Sequence, residues 1–289
     1  MRAFKCSIAI VLLAASAAAF GVDAPADLYF DSDGLKIHYT MQGKGKPLVL
    51  IHGFTASIDT NWRGPGIIEA LANDFQVIAV DARGHGKSDK PHDPAAYGPH
   101  MGEDVIRLLD HLGIMKAHIA GYSMGGAITL QLLATYPDRF LSAVLGGAGW
   151  QAPGSDVEKQ MVALADSLEQ GKGIGPLVIA LNPAGQPMPT AEAIAAISQR
   201  LMGSNDPLAL AAVIRGSAAI RPVTREALQR NRVPTCAVVG EMDPVKATVD
   251  GMVGLMGQLE VKVLPGRDHL TAVADPRLAN SMREFLLRH

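Results

Sequence analysis

The chain has 289 residues, 48% hydrophobic and 19% charged, enough to bury a sizeable core in one large α/β domain or in a domain carrying an insertion. Its formal net charge is −2 and its basic residues form no block, so no nucleic-acid partner is expected.

At the start of the chain, Arg2 and Lys5 precede an almost wholly apolar run from Ser7 to Phe20, and Ala17-Ala18-Ala19 offers the small residues that signal peptidase needs. Residues 1–19 are therefore expected to be a secretory signal peptide, and the mature protein to be exported, periplasmic or secreted. The apolar run is short against the roughly 20 residues that span a bilayer, so no stable membrane insertion is expected after cleavage. Cys6 would leave with the signal, and Cys236 then stands alone in the apolar run Thr235-Cys236-Ala237-Val238-Val239. It reads as a small buried hydrophobe, with no disulfide available to it.

Leu28-Tyr29-Phe30 and Lys36-Ile37-His38-Tyr39-Thr40 flank Asp33-Gly34, a dipeptide that favours a tight reversal between antiparallel strands. Pro47 to Ile51 and Gln76 to Val80 are continuous apolar runs without alternation, as expected of strands buried on both faces. Ile67 to Leu71 reads as a helix, and Met101 to Leu112 has apolar residues at helical spacing before Gly113. A further apolar run ends at Gly121, a helix follows through Leu133, and Phe140 to Leu145 is another strand, closing in Gly146-Gly147-Ala148-Gly149. Strands alternating with helices predict a parallel sheet covered on both faces, with ligands bound beyond the C-terminal strand ends.

The alternation pauses over residues 150–231, a stretch rich in Ala, Leu and Ile and interrupted by prolines. It is too long for a connection, so an inserted helical cap is expected there, between a core of residues 28–149 and its completion over 232–289. Strands at Thr235–Val239 and Leu259–Val263 bracket a helix-like segment through Val249, Met252 and Leu255, and Leu278 to Leu287 closes the chain as a helix.

Chemistry enters at Gly121-Tyr122-Ser123-Met124-Gly125-Gly126, where a serine sits on a sharp strand-to-helix turn. Such a turn strains the serine backbone and tolerates only small neighbours, which Gly121 and Gly125 supply. A neutral hydroxyl needs a base within reach and a carboxylate to hold the base. His269 follows the last predicted strand and Asp243 the one before it, so both are expected at the same sheet edge as Ser123. Asp268 is the weaker partner for His269, because adjacent side chains in an extended loop diverge. For an oxyanion, the backbone N–H groups of Met124 and Phe54 are the candidate donors, with Gly53 permitting close approach and His52 orienting the loop.

His52-Gly53, Asp81-Ala82-Arg83-Gly84-His85-Gly86-Lys87-Ser88, the serine turn, Gly240-Glu241-Met242-Asp243 and His269 occur in an order that resembles the α/β-hydrolase fold superfamily, from about Leu28 onward. The resemblance implies an eight-stranded, mostly parallel sheet flanked by helices, a helical cap after strand six, no metal and no organic cofactor. It also implies that Asp81 to Ser88 is structural, with Arg83 and His85 bracing the strand-end loops. A serine at the turn argues against the dehalogenase and epoxide-hydrolase branches, which use aspartate there. The expected activity is hydrolysis of a small-molecule carboxylic ester by Ser123, His269 and Asp243 through an acyl-enzyme. A lactonase, a thioesterase, a C–C bond hydrolase or a ligand-binding member of the fold stand as alternatives. Apolar residues of the insertion, among them Met161, Val162, Leu164, Leu177, Val178, Ile179 and Leu181, favour a fairly hydrophobic substrate, and Arg215 and Arg221 are weaker candidates for pairing with a substrate carboxylate. No G-x-G-x-x-G fingerprint is present to support a dinucleotide site.

Overall fold

The computed structural model describes residues 26–151, 157–183, 185–203 and 205–289, so the expected signal peptide at 1–19 lies outside the described residues. Eight strands form one sheet in the order β1-β2-β4-β3-β5-β6-β7-β8. β1 (Leu28–Ser32) and β2 (Leu35–Gln42) are antiparallel to their neighbours. From β4 (Phe75–Val80) through β3 (Lys46–Ile51), β5 (Ala117–Tyr122), β6 (Phe140–Gly146) and β7 (Thr235–Gly240) to β8 (Leu259–Leu264) the pairing is parallel. Asp33 and Gly34 turn the first hairpin with φ of 58° and 80°, the positive pair that matches the twist of its strands.

The unalternating apolar runs are explained by a core on each face. Val49 and Ile51 of β3 point into one layer with α2 (His100–His111) and α3 (Met124–Thr135), while Leu48 and Leu50 point into the other with α1 (Ile67–Leu71) and, from the end of the chain, Leu278, Met282 and Phe285. Every second residue therefore serves a different core, and none is left for water.

Between β6 and β7 lie α4 (Val157–Glu169), α5 (Gly175–Ala180), α6 (Ala191–Met202), α7 (Pro207–Gly216) and α8 (Arg225–Arg230). Leu164, Leu168, Ile174, Val178 and Leu210 form the insertion's own core, and Phe54 packs against it from the loop after β3. Ala212 and Val213 of α7 reach instead into the main core, and the Asn205 amide donates to the Thr55 carbonyl at 2.8 Å. The insertion is thereby fastened to the strand-end loops.

After β7, α9 (Lys246–Asp250) is shorter than its apolar spacing predicts. Gly251 and Gly254, the latter at φ 79°, end it, and Met252 and Met256 reach the core from turns instead. Two elements had no periodic signal: a helical turn at Ile58–Arg63, and α10 (His269–Ala272), which precedes α11 (Pro276–Leu286). No described helix is long and apolar enough to cross a membrane.

Candidate active site

β5 delivers the chain to Ser123, whose backbone at φ 52° and ψ −113° is one of three positive-φ positions occupied by a residue other than glycine among the described residues. The turn is possible because its flanks carry no side chains. A Cβ at Gly121 would lie 2.1 Å from the Gly125 carbonyl oxygen, and one at Gly125 would lie 2.0 Å from that of Ile51. The Ser123 N–H donates to the Gly146 carbonyl at 2.8 Å, and α3 begins at the next residue.

The structure brings Ser123, His269 and Asp243 together. His269 Nε2 lies 3.0 Å from Ser123 Oγ, and Asp243 Oδ2 lies 2.8 Å from His269 Nδ1. Donation of Nδ1–H to the carboxylate leaves the Nε2 lone pair facing the serine hydroxyl. The second Asp243 oxygen accepts from the Val245 N–H at 2.9 Å, and both Asp243 and His269 are buried, 2% and 3% exposed, while Ser123 stays partly open. His269 is not in a loop as its sequence context suggests but opens α10. Asp268 caps that helix, accepting from the Leu270 and Thr271 N–H groups at 2.9 and 2.8 Å, and this occupation accounts for its absence from the site.

The loop after β3 faces the same point. Met124 is the first residue of α3, so the helix itself leaves its N–H unused. Among the described residues the Phe54 N–H meets no backbone acceptor. The Gly53 carbonyl, part of the same peptide unit as that N–H, accepts from His52 Nδ1–H at 2.7 Å and from the Ala56 N–H at 3.2 Å. His52 Nε2 in turn accepts from the Ala82 N–H at 3.1 Å, which assigns its tautomer, and burial lowers its pKa, keeping the ring neutral. A Cβ at Gly53 would lie 3.4 Å from Ser123 Cβ, an ordinary contact, so close approach alone does not require glycine there.

Sequence reasoning missed two residues here. Asn61 Oδ1 accepts from the Gly53 N–H at 2.9 Å, while its buried Nδ2 has no protein partner. Tyr122 donates its hydroxyl to the His269 carbonyl at 2.6 Å. Asn61 lies in the unforeseen helical turn, and Tyr122 occupies the unconstrained position of the serine motif, so neither carried a periodic or motif signal.

Behind the loops, Asp81 accepts from His38 Nδ1, the Ile58 N–H and the Lys87 N–H at 2.7, 2.8 and 2.9 Å. Burial alone would raise this carboxyl, but the bond from His38 and the two backbone donors hold it well below the usual range. Arg83 forks onto buried Asp104 at 2.6 and 2.7 Å, and the His85 ring lies 5.2 Å from that of His52 and 5.7 Å from that of Phe54. Burial drives His85 down to about 3, so it too stays neutral. Arg215 is engaged by Asp166 and Glu169, and Arg221 is exposed. Among the described residues no cluster of three or more His, Cys, Asp or Glu side chains could hold a metal ion. Burial raises the Cys236 thiol to about 12, in keeping with an inert side chain.

Comparison with known proteins follows the same lines. Residues 46–171 match the family described as alpha/beta hydrolase fold. The dihydrolipoyllysine-residue acetyltransferase component of the acetoin cleaving system from Cupriavidus necator is 39% identical over 125 residues, 43% of this chain. The chain spans only 32% of that relative's length. A 3-oxoadipate enol-lactonase 2 from Acinetobacter baylyi is 28% identical over 266 residues, covering 87% of this chain and 93% of the enzyme. Among solved structures, a thermophilic esterase from Thermogutta terrifontis superposes with a TM-score of 0.75 at 25% identity, over 91% of this chain and 98% of that one. With its eight-stranded, mostly parallel sheet and helices on both faces, the chain has the α/β-hydrolase fold.

Proposed function

We propose that the protein is a serine hydrolase that cleaves a small-to-medium, fairly hydrophobic carboxylic ester outside the cytoplasm. The observation that carries this reading is the unbroken hydrogen-bond chain from Asp243 through His269 to Ser123 Oγ, at 2.8 and 3.0 Å.

In this reading His269 Nε2 takes the Ser123 proton as the oxygen attacks the ester carbonyl. The N–H groups of Phe54 and Met124 receive the oxyanion, and Asp243 stabilises the imidazolium. His269 then protonates the departing alcohol, and the acyl-enzyme is hydrolysed by a water that His269 activates. The positive end of α3 favours the developing negative charge. Export rests on the Arg2 to Ala19 segment.

A lactone is the second substrate class in view, because the enol-lactonase relative matches nearly its whole length. Ring opening needs the same nucleophile and base, the leaving alcohol remaining tethered to the acyl group. The test is labelling of mature protein with a fluorophosphonate, beside Ser123→Ala, with turnover of p-nitrophenyl esters from acetate to octanoate and of small lactones. Labelling confined to the native serine, with ester turnover, supports the proposal. Lactone turnover without ester turnover selects the second class, and an active Ser123→Ala protein overturns both.

A further inference from the structure

We infer that Tyr122 is a positioning residue that couples the base to the nucleophile, an inference that rests on the hydrolase reading above. Ser123 and His269 are 146 residues apart in sequence. Their alignment depends on how firmly two separate chain segments, the β5–α3 turn and the start of α10, are held to each other. Tyr122 is covalently next to Ser123, and its hydroxyl donates to the backbone carbonyl of His269 itself at 2.6 Å. One dipeptide thus carries the nucleophile on its second residue and grips the base with its first.

Three further observations support the grip. Tyr122 is 5% exposed and its ring centroid lies 5.5 Å from that of His269, so phenol and imidazole are packed together. Burial, with Asp243 and Asp268 nearby, raises the phenol above its ordinary range, so it remains a donor at every working pH. Finally, the end of β6 is hollowed out for both rings. A Cβ at Gly146 would lie 2.7 Å from Tyr122 Cδ2, and one at Gly147 would lie 3.1 Å from Tyr122 Cζ and 3.2 Å from His269 Cε1. A ring needed only as core filling would not require its hydroxyl to meet the carbonyl of the base.

The phenol touches no reacting atom in this arrangement, so its effect is on geometry. Loss of the hydroxyl frees the His269 backbone to shift, lengthening the Nε2 to Oγ contact, and displacements near 1 Å at reacting groups cost on the order of 100-fold in rate.

The experiment compares native protein, Ser123→Ala and Tyr122→Phe in the second-order rate of fluorophosphonate labelling, in kcat and KM on p-nitrophenyl butyrate, in thermal melting, and in the far-downfield proton signal of the His269–Asp243 hydrogen bond. The expected result for Tyr122→Phe is a labelling rate and kcat lower by roughly 10- to 100-fold, KM within about twofold, and a downfield proton broadened by exchange. Tyr122→4-aminophenylalanine, which keeps a donor at the same point, is expected to recover most of the rate. Should the phenylalanine variant not fold, the amino variant set against 4-methylphenylalanine at position 122 reads the same difference. Native labelling with an unaltered Tyr122→Phe rate, or a fall in melting temperature alone, overturns the role of Tyr122 and leaves the hydrolase reading standing. No labelling of native protein overturns both.

Discussion

Gly147 stands 3.2 Å, measured from the position its Cβ would take, from the Cε1 atom of His269, and its φ of 52° is itself unfavourable for a side chain. Gly147→Ala is expected to cost about 1–2 kcal/mol in backbone strain and, separately, to push the imidazole off Ser123. Gly171→Ala is the matched control, with φ 68° and nothing within 4 Å. Both variants should melt earlier, but only Gly147→Ala should label slowly with fluorophosphonate. Equal labelling by the two would separate Gly147 from the site.

Ser123 holds a conformation that costs on the order of 1–3 kcal/mol in any residue with a Cβ. Ser123→Gly and Ser123→Ala should both be inactive. The glycine variant is expected to be the more stable by about 1 kcal/mol after allowing for its greater unfolded-state freedom. Urea unfolding of the two proteins measures the difference, and a more stable alanine variant would contradict strain at this turn.

Asn61→Ala removes the acceptor that holds the Gly53 N–H and leaves that buried donor without a partner, a loss of about 1–3 kcal/mol. Because Gly53 adjoins the peptide that presents the Phe54 N–H, activity should fall by roughly 10- to 100-fold, mostly in kcat. Steady-state kinetics with the melting curve reads both effects. Unchanged kcat in a destabilised variant would confine Asn61 to the fold.

Two buried histidines predict how stability follows pH. Burial lowers His85 to about 3 and His118 to about 4, below the roughly 6.5 of an unfolded histidine. The unfolded chain therefore binds protons first as pH falls. The stabilising contribution of these neutral rings is fully present above about pH 7. It declines from about 6.5 toward 4 and 3, at up to about 1.4 kcal/mol per pH unit for each ring. His85→Asn should flatten this slope in chemical denaturation curves between pH 4 and 6.5. An unaltered slope would show that the ring takes up a proton without cost.

The sheet was legible because burial on both faces leaves an unmistakable pattern: Leu48 to Ile51 and Val77 to Val80 have no polar residue to interrupt them. Ser123, Asp243 and His269 were legible for a topological reason, since each follows a strand that ends at the same edge. Periodicity failed where geometry is local and irregular. The Met252 and Leu255 spacing suggested a helix that Gly254, at φ 79°, interrupts, and the turn carrying Asn61 left no trace in the hydropathy pattern. Tyr122 was invisible because its role depends on a carbonyl brought to it by the last strand of the sheet.

That last strand also sets how the protein should fail. β8 is paired on one side only, with β7, whereas β5 lies between β3 and β6. Ser123 therefore rides on the most protected part of the sheet and His269 on a margin. Margins open by local fluctuation at lower free energy than the whole domain. Under gradual warming the molecule should part with His269 before it parts with its fold, passing through a native-looking but silent ensemble. Amide hydrogens of Leu259–Leu264 would exchange early in that ensemble, and cooling would restore catalysis without refolding.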